Sequence, residues 1–176
     1  MLIFLLLILF FICLAIFFYL IFTVYAVIIG DIRGAPFVPS SRGRIHTMIR
    51  LAQIVPGETV VDLGSGSGSI VIEAARTHAH TIGIEMNPFL VLYSRWMIRR
   101  KGFSDRAKII RADFRSFSLI HVDIVFVYLL PKTMERIREK FLRELKPGAR
   151  IISNAFPIPG WTPIKVEDKV FLYRIK

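Results

Sequence analysis

Cysteine and acid are scarce in this chain, and charge of either sign is missing from its first thirty residues. The single cysteine, Cys13, excludes a disulfide within the chain and fits a reducing compartment. The four histidines, His46, His78, His80 and His121, do not cluster at metal-ligand spacing and have no partner cysteines, which excludes a zinc-type site. No nucleophile, histidine and acid fall into a hydrolase pattern. Internal repeats and low-complexity segments are absent as well. Acids number 13 against 24 lysines and arginines, giving a net charge of +11, all of it carried by residues 31–176.

The uncharged start is a long apolar run. Leu2 to Ile29 is interrupted only by Thr23, and about 20 such residues cross a bilayer core. A cleaved signal peptide is the competing reading, and the lack of a basic leader and the length of the run argue against it. The expectation is therefore a retained transmembrane helix, with tilt absorbing the excess length. Arg33, Arg42, Arg44 and Arg50 follow it, and only the amino terminus precedes it. The positive-inside rule then predicts a single-pass membrane protein with its carboxyl-terminal domain in the cytoplasm. Three segments are expected: an anchor over 1–29, a linker over 30–41 and one domain over 42–176.

The domain opens with an amphipathic helix pattern over Arg44–Ile54, stopped by Pro56-Gly57. Apolar runs then alternate with helical patterns. Strands are predicted at Thr59–Leu63, Thr81–Glu85, Lys108–Arg111, Val122–Val127 and Ala149–Ser153. Helices are predicted at Ser69–Arg76, Pro88–Lys101 and Thr133–Glu144. That alternation implies parallel strands with helices on both faces. Thr162–Val166 and Val170–Ile175 flank Glu167-Asp168-Lys169 and predict a closing antiparallel hairpin.

The most informative stretch is Val60-Val61-Asp62-Leu63-Gly64-Ser65-Gly66-Ser67-Gly68, followed by Gly83-Ile84-Glu85. An apolar strand ends in an acid, glycines alternate into a helix, and a second strand ends in another acid 23 residues on. Glycines let backbone pass close to a nucleotide-type cofactor. An acid at the second strand's end can accept both ribose hydroxyls.

Asp62, Gly64, Ser65, Gly66 and Gly68 resemble the first motif of class I S-adenosylmethionine-dependent methyltransferases. Glu85, with Met86 and Asn87 after it, then resembles the ribose-binding acid. Asp113, with Phe114, resembles the residue that contacts the adenine amino group. The flanks carry a closer resemblance: Ala35-Pro36-Phe37-Val38-Pro39-Ser40-Ser41, Val127-Tyr128-Leu129-Leu130-Pro131, the run Leu142 to Arg150 and Phe156-Pro157-Ile158-Pro159-Gly160-Trp161. Together these are similar to the membrane-anchored protein-lysine methyltransferases of the mitochondrial ATP synthase c subunit and the adenine nucleotide translocase.

That resemblance implies a Rossmann-like class I methyltransferase fold: a mostly parallel seven-stranded sheet with an antiparallel last strand, here preceded by one transmembrane helix. It implies S-adenosyl-L-methionine as donor and a lysine ε-amine of a membrane-associated protein as acceptor. It implies that Phe37, Pro39 and Ser40 cover the cofactor. Tyr128 and Pro131, with Leu129, Leu130, Asn154 and Phe156, are expected to wall the acceptor channel, Tyr128 positioning the amine. No residue is assigned as a general base. Where those relatives carry Asp and Arg, this chain has Ser67 and Ser69. RNA, lipid or small-molecule acceptors, and a non-catalytic cofactor-binding module, remain the alternatives.

Two basic groups stand apart from these motifs: Arg95, Arg99, Arg100 and Lys101, and Lys132, Arg136, Arg138, Lys140 and Arg143. Each reads as a solvated helix face or as attraction to anionic lipid headgroups. Nucleic acid is disfavoured as a partner, for want of a recognisable binding module, although the charge attracts any polyanion.

Overall fold

The computed structural model describes residues 2–33 and 38–176, with side chains in the first segment described at 4, 6–21 and 23. It divides into two compact units, Met1–Val38 and Pro39–Lys176. The first contains α1 (Leu2–Arg33), which continues through Gly30 into residues expected as linker. Among the described residues no helix is long and apolar enough to cross a membrane. The expectation of a transmembrane helix, and with it a single-pass membrane location with a cytoplasmic domain, is corrected accordingly.

The second unit is a seven-stranded sheet in the order β3-β2-β1-β4-β5-β7-β6. Its strands are β1 (Thr59–Leu63), β2 (His80–Glu85), β3 (Ala107–Arg111), β4 (Ile124–Val127), β5 (Arg150–Asn154), β6 (Lys165–Glu167) and β7 (Val170–Arg174). Neighbours among β1 to β5 are parallel, and β7 runs antiparallel to both β5 and β6. The reversed strand is the last in sequence, as expected, but sits inside the sheet rather than at its edge. All four residues of β4 are buried, the pattern of a strand covered on both faces.

Four helices belong to this unit: α2 (Arg42–Ala52), α3 (Ser69–Ala75), α4 (Pro88–Arg100) and α5 (Pro131–Glu144). Ser41 caps α2, its hydroxyl accepting from the Arg44 N–H. Asn87 caps α4, its Oδ1 accepting from Phe89 N and Leu90 N, with Pro88 at the first helical position. α2 and α3 pack Met48, Leu51, Ile70 and Ala74 on one sheet face with Phe126 and Ile152. α5 packs Met134, Ile137 and Phe141 on the other face with Val61, Val125 and Ile151.

The hairpin is fastened to α2. Asp168 and Lys169 both have positive φ, and Arg50 pairs with Glu167 while the Thr47 hydroxyl donates to Asp168. The strand order reverses between β1 and β4, so the crevice for a ligand lies at their carboxyl ends.

Candidate active site

Asp62 lies on β1 beside Gly83 of β2 and Phe126 of β4. It is 4% exposed, and its carboxylate receives no hydrogen bond among the described residues. Burial first, and the neighbouring Glu85 charge second, push it up to about 7. A buried carboxylate without a donor is costly unless something else is to face it.

The loop after β1 alternates positive-φ glycines, Gly64, Gly66 and Gly68, with serines. Gly68 is required for packing: a Cβ there would lie 2.9 Å from Ser94 Cβ on α4. Ser65 is buried, and among the described residues its Oγ has no hydrogen-bond partner. It rests against Gly83, where a Cβ would come within 2.5 Å of that oxygen. Ser67 and Ser69 hydroxyls are 2.8 Å apart, a neutral pair.

Glu85, at the end of β2, is held by two backbone donors. Gly66 N donates to Oε2 at 2.9 Å and Asn87 N to Oε1 at 2.7 Å. Each carboxylate oxygen offers about two acceptor sites, so among the described residues one on each oxygen is free. Two adjacent free sites match a vicinal diol. Asp113 differs: its oxygens accept from Arg115 N, from Nε at both oxygens and from Nη2. Its acceptor capacity is filled, and the guanidinium holds its pKa below the usual carboxylate range. Phe114 is buried in the core against α5's face, and Met86 is half-buried.

Tyr128 and Phe156 stand at the carboxyl ends of β4 and β5, their rings stacked 6.3 Å apart at 30°. Both are half-buried. The turn that carries Phe156 is strained: Ala155 has φ +65°, and Phe156 N donates back to Asn154 O at 2.9 Å. The turn is fixed by Ala155 N donating to Lys169 O and by the Ser153 hydroxyl donating to Phe156 O. Leu129 is in the core, while Leu130 and Pro131 are exposed at the start of α5.

Pro39 is exposed and Ser40 half-buried. The fully buried Asn154 donates from Nδ2 to Ser40 Oγ at 2.9 Å and accepts from Arg44 Nη1 at 3.3 Å. Phe37, also expected at the cofactor, lies outside the described residues. The structure thus gathers Asp62, the glycine loop, Glu85 and Asn87 at one set of strand ends, with Tyr128 and Phe156 at the adjoining ones. Phe114 and Leu129 turn into the core instead. Sequence reasoning missed the Arg44–Asn154 bond and the hold of Arg115 on Asp113. The Asp-x-Arg spacing was a signal for the second, since Asp side chains bond two residues on.

A sulfonium nucleoside fits this set. The orphaned Ser65 hydroxyl, the donor-free Asp62 and the two free sites on Glu85 are polar capacity that the described residues leave unused.

A family profile described as ANTKMT methyltransferase domain matches residues 62–165. The lysine N-methyltransferase of the ATP synthase c subunit from Rattus norvegicus is 37% identical over 147 residues, covering 80% of this chain and 68% of the relative. The human counterpart is also 37% identical, with 60% of its length covered. A protein-lysine N-methyltransferase of Saccharolobus islandicus is 33% identical over 150 residues, with 80% of this chain and 93% of the relative covered. The crystal structure of an RNA methyltransferase from Salinibacter ruber, in complex with S-adenosyl-L-homocysteine, superposes with a TM-score of 0.76. Its identity is 32%, covering 78% of this chain and 94% of that one. The methyl donor is accordingly S-adenosylmethionine. The seven-stranded order and the acid at each of two strand ends agree with a match that begins at Asp62, and the chain belongs to the ANTKMT methyltransferase domain family.

Proposed function

We propose that this chain transfers a methyl group from S-adenosylmethionine to a lysine ε-amine of a protein. One observation carries the proposal beyond family membership: the stacked Tyr128–Phe156 wall adjoining the donor-free Asp62 crevice. In this reading residues 42–176 are the methyltransferase domain, and Pro39 and Ser40 belong to the segment covering the donor.

When bound, S-adenosylmethionine supplies an activated sulfonium methyl for in-line displacement. The chain's work is binding and orientation. Glu85, already oriented by Gly66 and Asn87, takes the ribose hydroxyls on its two free acceptor sites. The loop backbone at Gly64, Ser65 and Gly66 lines the donor, and Asp62 lies beneath it as a buried negative charge. Asp113 receives the adenine amino group once Arg115 releases it. Asn154 tethers Ser40 over the crevice. Tyr128 and Phe156, with Leu130 and Pro131 beside them, form the acceptor wall.

A free lysine has a pKa near 10.4, and its ammonium has no lone pair for attack. A low-dielectric wall disfavours the charged form and so favours the reactive amine. A cation approaching the wall also meets ring faces that attract it. The same surface therefore receives the ammonium and lowers the cost of losing its proton.

A second reading has one observation in its favour: the Salinibacter relative, with 94% of its chain covered, is described as an RNA methyltransferase. Labelled methyl transfer from S-adenosylmethionine to cell extracts separates the two, with Asp62→Ala as control. Protease-sensitive label that hydrolyses to methyl-lysine, and is lost in the variant, is the expected result. Nuclease-sensitive label would keep the methyl transfer and replace the acceptor.

A further inference from the structure

α4 is apolar on two opposite faces. At about 100° per residue, Val91, Ser94 and Ile98 share one side, and all three are buried. Phe89, Leu92, Tyr93 and Trp96 follow the i, i+3, i+4, i+7 pattern on the opposite side. They are 74%, 71%, 47% and 50% exposed. The core needs only the first face, so the second is not a by-product of folding.

The chemistry of that second face is specific. Tyr93 and Trp96 lie with ring centres 6.1 Å apart, and the Arg100 guanidinium sits 5.2 Å from the centre of the Trp96 ring. Arg99, Arg100 and Lys101 end the stripe, all exposed. From Met86 to Ser104 there is no acidic residue. The β3 edge beside α4 exposes Lys108 and Arg111. Arg95 turns away from this surface, donating from Nε and Nη2 to Ile109 O. The stripe is a ridge on a single helix with cations at its end.

We propose that this face of α4 docks on an anionic lipid surface, lying in the interface with Phe89 and Leu92 among the acyl chains and Tyr93 and Trp96 at the headgroup level. Aromatic rings with a polar tip prefer the headgroup level, and an amphipathic helix with cations beside its apolar face binds there. Positive charge at the ridge's end complements anionic headgroups. A helix lying on a bilayer needs no membrane-crossing length, so this mode is distinct from a transmembrane span.

The two tryptophans make a local test in the full chain. Trp161→Phe leaves Trp96 as the sole tryptophan, and Trp96→Phe leaves Trp161. Each variant is mixed with vesicles of phosphatidylcholine, with or without phosphatidylserine, carrying brominated acyl chains. Trp96 emission shifts to the blue and is quenched, most by bromines near the carbonyl end, and more strongly with phosphatidylserine. Trp161 is unquenched. Replacing Arg99, Arg100 and Lys101 by glutamate lowers the partition of Trp96 into anionic vesicles at least about a hundredfold. The readout is local to α4 whatever else brings the chain to a vesicle. Unquenched Trp96 in chain that has bound vesicles overturns the proposal. So does Trp96 that becomes shielded without lipid as protein concentration rises, which assigns the ridge to a second copy of this chain.

Discussion

Asp62 makes the most demanding prediction, because its environment links stability and cofactor binding to one proton. Burial and the adjacent Glu85 raise its pKa from 3.8 to about 7. Between those values the folded chain holds a proton that the unfolded chain has released. Stability contributed by this carboxyl is therefore fullest below pH ~4 and declines as pH rises to about 7, by roughly 1.4 kcal/mol for each step of one in pH. The upper figure for the whole interval is about 4 kcal/mol. Asp62→Asn keeps the shape and removes the titration. Urea unfolding of both full chains between about pH 5 and pH 8 should show the variant gaining on the parent as pH rises, then levelling above about pH 7. Cofactor affinity should move the other way. A cationic donor favours the ionised carboxylate, so parental affinity rises by up to about tenfold per pH unit below 7, and the Asn variant binds weakly with a flat profile. A stability difference that does not change with pH would refute the account of Asp62 as a buried, donor-free acid.

Three further outcomes follow from individual contacts. Glu85→Gln retains one acceptor oxygen but loses its charge, and should weaken cofactor binding by ~10- to 100-fold with the fold intact; equal affinity by titration calorimetry would remove Glu85 from the site. Gly83→Ala forces a methyl to within 2.5 Å of Ser65 Oγ and 2.6 Å of Ile109 Cδ1, so a loss of about 1–3 kcal/mol is expected, and an unchanged Tm would show that the loop can yield. Arg115→Ala frees the Asp113 carboxylate, so its pKa should rise towards the ordinary range in carboxyl NMR titrations and cofactor affinity should increase a few-fold. Weaker binding in that variant would mean that Arg115 itself serves the ligand.

What could be read from sequence was whatever a repeating pattern or a stiff residue encodes. Thr59–Leu63 is both the predicted and the observed first strand, because buried parallel strands are continuous apolar runs. Asn87-Pro88 marked the start of α4 to the residue, since a capping side chain and a fixed φ admit few alternatives. Other element starts were misplaced: the strand predicted from Val122 begins at Ile124, and the helix predicted from Thr133 begins at Pro131, a residue that carries the same marker as Pro88. The first thirty residues carried the clearest hydropathy signal, yet among the described residues no helix is long and apolar enough to cross a membrane. Side-chain pairing across the fold was not legible either. Asn154 meets Ser40 and Arg44 across 114 and 110 positions, distances at which no local pattern survives.

The glycines show that one residue type can serve packing where the sequence suggests a ligand. The sequence suggests that Gly64, Gly66 and Gly68 spare a ligand from Cβ atoms. Packing does not demand the glycine at Gly64, where a Cβ would meet Leu129 Cδ2 at 4.0 Å, but its φ of +80° does. Gly68 instead spares Ser94 of α4, and Gly83 spares Ser65 and Ile109. Close packing of loop against helix and strand is thus a precondition for the site: it presses Ser65 inward and brings Gly66 N within 2.9 Å of Glu85. That bond aims the carboxylate at the crevice. In the proposed reading, ribose recognition by Glu85 therefore depends on two glycines that the donor itself need never touch.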